Sequence, residues 1–111
     1  MDKKSSPKII SPQDIENMIL EIVGAHFGLP AITLSVSNSI TKDIGADSLD
    51  RVELIMTVEE LFGVKIDDKI NSEIDTIGDI VEAILKTSPS PSNLDLAKQT
   101  WAMISKGRYS T

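Results

Sequence analysis

Apolar residues recur with the period of an α-helix in two long stretches of the chain. Ile15, Met18, Ile19, Ile22 and Val23 fall at i, i+3, i+4, i+7 and i+8, the stripe of a half-buried helix. Ser11-Pro12-Gln13-Asp14 precedes them with a Ser at the N-cap, a Pro at the first helical position and an acid three residues after the cap. Gly28 and Pro30 stop this helix. Ile77, Ile80, Val81, Ile84 and Leu85 repeat the same stripe behind a Thr76-x-x-Asp79 start. Between the two, a helix is predicted from Asp47 or Ser48 to Phe62, ended by Gly63. A short helical turn or two is expected between Asp68 and Ile74, on the strength of Ile70 and Ile74. Residues 30 to 46 mix Ser, Thr, Asn and one Gly with scattered Ile, Leu and Val and show no sustained period. They read as a long ordered loop, and loops of that length usually carry function. No strand-like alternation competes. The expected fold class is all-α, a four-helix bundle of three main helices plus one short one, with the long loop between the first two.

Composition narrows this further. A chain of 111 residues builds one compact core, and with two Phe, one Trp and one Tyr that core must be aliphatic. The absence of Cys excludes disulfides, thiolate metal sites and a cysteine nucleophile, which favours a cytoplasmic setting. Met1 to Ile10 is charged and polar with no signal-like apolar run behind it, and no stretch has the eighteen or so apolar residues of a membrane span. A soluble, unprocessed chain is expected.

The chain divides by pattern into a basic N-terminal extension (1–10), the helical domain (11–87), a Ser/Pro linker (88–92) and a basic C-terminal extension (93–111). In that last segment Asn93 can cap a helix carrying Leu94, Ala97, Trp101 and Ile104 at i, i+3, i+7 and i+10. It has three readings: a disordered extension, a helix folded back onto the bundle through Trp101, or a basic amphipathic contact with a membrane or a dedicated partner. Charge is segregated along the chain. The formal net charge of -6 splits into +2 for residues 1–11, -11 for residues 12–85 and +3 for residues 86–111. So acidic a middle repels phosphate backbones and attracts basic protein patches, which argues against nucleic-acid binding. A tail folded against the acidic second helix would cover the start of that helix until displaced.

The second helix carries two apolar stripes. Leu54, Ile55, Val58, Leu61 and Phe62 cluster on one side and form its core face. On the opposite side Leu49, Val52 and Met56 make a narrower stripe, mixed with Glu53 and Glu60 and bordered by Asp50 and Glu59. A small bundle cannot bury both. Either the second stripe is ordinary exposed apolar surface beside a solvated acidic face, or it is a docking surface whose adaptable Met sits among acids that steer a basic partner.

Immediately before this helix runs Asp43-Ile44-Gly45-Ala46-Asp47-Ser48-Leu49-Asp50, in which Gly45 supplies a tight turn and Asp47 can cap orphan amides. Ser48 therefore stands at a helix N-terminus. As a nucleophile it lacks a base, since the one His, His26, belongs to the first helix with no acid pattern near it. The position suits a covalently attached anion, which the helix dipole stabilises by roughly 0.3 to 1 kcal/mol when exposed.

From about Ser11 to Leu85, without a gap, the sequence resembles the acyl carrier proteins, most clearly in Asp43 to Glu60, DIGADSLDRVELIMTVEE. The resemblance implies that family's four-helix bundle and a protein that catalyses nothing itself. It implies 4'-phosphopantetheine, taken from coenzyme A by a separate phosphopantetheinyl transferase, on the hydroxyl of Ser48. It further implies a docking surface of Asp47, Leu49, Asp50, Val52, Glu53, Met56, Glu59 and Glu60 for ketoacyl synthases, acyltransferases and other acyl-chain enzymes with basic patches. Between encounters the cargo would rest in the bundle, with Ile40, Leu54, Val58, Ile66, Ile74 and Ile80 as candidate lining, although each also reads as ordinary core. Such a chain is expected to be a monomeric acyl carrier of fatty-acid synthesis. A specialised carrier for polyketide or modified-lipid synthesis, and a non-catalytic structural adaptor using the acidic helix, are the alternatives. Arg51 departs from the pattern by placing a positive charge in the acidic docking segment, where it could exclude some partners.

Other chemistries fail on spacing: the chain has no His-Glu-x-x-His, no glycine-rich phosphate loop and no twelve-residue calcium loop. No metal site is expected.

Overall fold

The computed structural model describes residues 12–87 and 91–108. The Ser11 cap, the 1–10 extension and residues 88–90 and 109–111 lie outside the described residues. Helix α1 spans Pro12–Phe27, α2 Ser48–Phe62, α3 Asp68–Ser72, α4 Ile77–Thr87 and α5 Pro91–Arg108, with a short 3-10 turn at Ala31–Thr33. All five stripe residues of α1 are buried, as are Ile77, Ile80, Val81 and Ile84 of α4, which packs most extensively on α1. The core face of α2 is the one its periodicity marks: Leu54, Ile55, Val58, Leu61 and Phe62.

Helix ends follow local chemistry. In α1, Gly28 adopts φ 71° and the N–H of Leu29 donates to the carbonyl of Gly24 at 2.7 Å, closing the last turn. Gly24 itself is required by space. A Cβ there would lie 2.5 Å from the carbonyl oxygen of Leu29, so the close return of the chain after α1 demands a glycine three residues before the helix's last residue. Helix α4 opens with a reciprocal cap: the N–H of Asp79 donates to Thr76 Oγ1 at 3.0 Å, and Asp79 Oδ2 accepts from the N–H of Thr76 at 3.0 Å. The N–H of Asp75 donates to the same carboxylate oxygen at 2.9 Å.

The long loop from Gly28 to Asp47 is tied down rather than loose. Ser39 pairs with Thr76 in an isolated bridge, and the N–H groups of Ile40, Ile77 and Gly78 donate to the carbonyls of Asp75, Asn38 and Val36. Buried Ser39 donates through its hydroxyl to Asp75 Oδ1 at 2.9 Å, while its N–H donates to Asp43 Oδ2 at 2.7 Å. Nothing in the Ser-rich sequence around Ser39 distinguishes it from its neighbours, because its partner is 36 residues away.

Helix α5 corresponds to the second reading of the tail, a helix folded back onto the bundle through Trp101. It starts at Pro91, inside the expected linker, where a proline at the first helical position costs no hydrogen bond. It lies on α2 and reaches α1, with Ala97 and Trp101 joining the core. The side chains of Leu94 and Ile104 lie outside the described set. The tail is a fifth helix folded back onto the bundle. Among the described residues no helix is long and apolar enough to cross a membrane.

Candidate functional site

The turn that delivers Ser48 is built from the loop upward. Ser39 accepts at its carbonyl from the N–H groups of Asp43 and Ile44, and the N–H of Ala46 donates to Ile40 at 3.1 Å. Gly45 takes φ 88°, a conformation only glycine adopts freely, and buried Ala46 anchors the far side of the turn. The chain then enters α2 through a reciprocal cap. Asp47 Oδ1 accepts from the N–H of Asp50 at 2.8 Å, and Asp50 Oδ2 accepts from the N–H of Asp47 at 3.3 Å.

Ser48 is the first residue of α2 and is exposed. Two of the helix's orphan donors are satisfied by the cap and by the bond from the N–H of Arg51 to the carbonyl of Asp47. The N–H groups of Ser48 and Leu49 have no hydrogen-bond partner among the described residues, so they face solvent beside the hydroxyl. An anion esterified to Ser48 would find two donors and the positive end of a fifteen-residue helix. These residues fit a phosphodiester-linked group. The tail does not cover the start of α2: with α5 docked, Ser48 is exposed, and Leu49, Val52 and Met56 are 63%, 47% and 51% exposed.

The residues expected at the docking face separate by what else they do. Leu49, Val52, Glu53, Met56 and Glu60 are exposed. Asp47 and Asp50 share the helix cap, and half-buried Glu59 accepts the N–H of Ile66 at 2.8 Å through Oε2, closing the loop after α2. Arg51 is half-buried and does not stand among those acids. Its Nε donates to the carbonyl of Ile74 at 3.2 Å, and its Nη2 to the carbonyls of Ile74, at 3.1 Å, and Asn71. This role was invisible to sequence reasoning, which saw a stray cation in an acidic segment; a lone Arg on the border of a core stripe is the only signal that pointed to it.

Ile40, Leu54, Val58, Ile66, Ile74 and Ile80 are all buried and belong to one continuous core. Leu54 and Val58 come from α2, and Ile66 and Ile74 from the segments flanking α3. His26 sits on α1 with its ring edge-on to Phe27 at 4.9 Å. Among the described residues no group of three or more His, Asp or Glu side chains is placed to hold a metal ion.

Asp79 is the titratable group whose environment departs most clearly from that of a free carboxylate. The backbone N–H of Thr76, then that of Asp75, donate to it and hold its pKa below the usual range, against a smaller opposing effect of burial.

The family model described as a phosphopantetheine attachment site matches residues 17–84, a span that contains Ser48 and stops short of α5. The acyl carrier protein of Sinorhizobium fredii (strain NBRC 101917 / NGR234) is 47% identical over 73 residues, 66% of this chain and 94% of its own length. Acyl carrier protein AcpP of Rhizobium meliloti (strain 1021) matches to the same extent. Among solved structures, the acyl carrier protein from Enterococcus faecalis superposes with a TM-score of 0.60 at 26% identity, covering 70% of this chain and 99% of that one. A helical bundle matched over nearly the whole length of such relatives leads to one conclusion: the chain belongs to the acyl carrier protein family, carries acyl chains on phosphopantetheine, and is not itself an enzyme.

Proposed function

We propose that Ser48 is the attachment residue for 4'-phosphopantetheine and that the loaded protein delivers acyl thioesters to the enzymes of fatty-acid synthesis. One observation carries the assignment: an exposed serine hydroxyl at the first position of α2, next to two unpartnered N–H groups. When bound, the group supplies a thiol that can carry the cargo as a thioester. The chain's own contribution is to present it. The cap of Asp47 and Asp50 fixes the hydroxyl's position, and the open amides of Ser48 and Leu49 stabilise the phosphodiester charge. With no Cys, the protein offers no thiol of its own to take the acyl group by exchange.

The exposed Leu49, Val52 and Met56, with Glu53 and Glu60, form the docking face in this reading, and Asp47, Asp50 and Glu59 add charge at its border while shaping it. Basic patches on the transferase, on ketoacyl synthases and on acyltransferases are the complementary surfaces. Ile40, Leu54, Val58, Ile66, Ile74 and Ile80 line the cargo's resting place. A reducing, cytoplasmic setting suits this thiol chemistry.

Incubation with coenzyme A and a phosphopantetheinyl transferase, followed by intact-mass measurement, tests the assignment. One added phosphopantetheine is expected, and none on Ser48→Ala. An unmodified structural adaptor would show no gain in either protein. A second reading, a specialised carrier for polyketide or modified-lipid synthesis, is favoured by α5, which lies beyond the family match. The two carriers are separated by which ketosynthase or acyltransferase accepts the loaded form.

A further inference from the structure

Helix α3 is five residues long and buries none of them. The segment around it is held to the rest of the molecule by buried Ile66 and Ile74, by half-buried Ile70, and by two polar grips that both originate on α2. Glu59 accepts the N–H of Ile66 before α3, and Arg51 donates three times to the carbonyls of Asn71 and Ile74 at and after its end. A short helix fastened mainly at its two ends is a unit that opens locally while the rest stays folded. The two grips are unequal in chemistry. Glu59 closes a loop only seven residues long, whereas Arg51 reaches across 20 to 23 residues of sequence to join α2 to the α3–α4 joint.

Arg51 also lies one helical turn beyond Ser48, on the same side of α2. The donors used are Nε and Nη2, and Arg51 forms no ion pair with a carboxylate among the described residues. Its charge therefore serves the backbone carbonyls alone. Of the proposed lining, Leu54 and Val58 belong to α2, and Ile66 and Ile74 flank α3, and all four are buried. If a chain rests among all four, the α3 segment that Arg51 ties to α2 has to give way.

We propose that Arg51 is a positioning residue that latches the α3–α4 joint to α2 and thereby sets which acyl chains the bundle takes in. The inference rests on the proposed attachment at Ser48 and on the proposed lining. Short acyl groups gain too little apolar burial to displace the latch and stay on the arm in solvent. Longer aliphatic chains, whose gain grows with each methylene, compete with it increasingly, so that a medium chain such as octanoyl enters against the latch only part of the time. Lysine at this position, a compact point charge, cannot grip two carbonyls as the planar guanidinium does.

Two measurements on the full chain test this. Amide hydrogen exchange of the unmodified protein should show the N–H groups of Asn71, Glu73 and Ile74, which are hydrogen-bonded within and just after α3, exchanging about tenfold or more faster in Arg51→Ala. Arg51→Lys should be intermediate, with α1 and α4 unchanged. Should Arg51→Ala fail to fold, Arg51→Lys carries the same test. Each protein is then loaded with acetyl or octanoyl phosphopantetheine, and thioester cleavage by hydroxylamine is timed. The latch predicts that Arg51→Ala slows cleavage of the octanoyl form several-fold and leaves the acetyl form unchanged. Unaltered exchange at α3 overturns the latch. Faster exchange with equal octanoyl rates overturns its control of cargo. A wild-type chain that takes no phosphopantetheine on Ser48 overturns the proposed function instead, and the exchange measurement still judges the latch.

Discussion

Asp79 shows how one side chain couples local structure to solution conditions. Its carboxylate accepts from two backbone N–H groups at the start of α4, and those bonds hold its pKa below the ordinary value. A group whose folded pKa is depressed contributes stability that is present above the unfolded pKa and lost as pH falls through the folded one. The stability difference between wild type and Asp79→Asn, measured by denaturant unfolding, should therefore be full above the ordinary carboxylate range and shrink as pH falls through that range and below it. The cap itself was legible, because Thr-x-x-Asp before an apolar run has few other uses, and so was the turn at Gly45. Gly24, Ser39 and Arg51 were not. Each owes its role to an atom far along the chain or to a close approach of backbone, and neither leaves a local pattern.

At the scale of elements, the helices that carry a strong stripe were placed to within a residue or two, since a stripe at the helical period has one way to be buried. Helix α5 was left among three readings because its stripe is sparse: in the described part only Ala97 and Trp101 are buried, while Leu96 and Met103 point outwards at 60% and 74% exposure. Whether so few anchors suffice depends on the groove they meet, which other helices form. Truncating the larger anchor should be costly: Trp101→Ala is expected to lower unfolding stability by about 3 kcal/mol, the lower end for removing a buried aromatic side chain. Because Ser48 is exposed with α5 in place, the same variant should accept phosphopantetheine at the wild-type rate, read by intact mass over time. A clear acceleration would mean that the tail does restrain the site.

Across the whole molecule, charge segregation is a property of the sequence and needs no fold to be seen, yet its effect on partners depends on where the acids end up. The middle of the chain carries a net charge of -11, and the exposed Glu53 and Glu60 place part of it beside the open apolar stripe of α2. Reversing both to Lys should slow association with a basic acyl-chain enzyme by about tenfold or more at low salt, with the gap narrowing near 1 M salt, as stopped-flow rates would show. The sequence by itself determined the helical class, the helix ends, the family motif and the serine at the head of an acidic helix, because each is set by neighbours within a turn or two. Only the tertiary structure decided that α5 folds back yet spares Ser48, that Glu59 shapes the bundle as well as the surface, and that Arg51 grips the α3–α4 joint. Those outcomes depend on which distant backbone atoms are brought within reach, and periodicity along a chain carries no record of that.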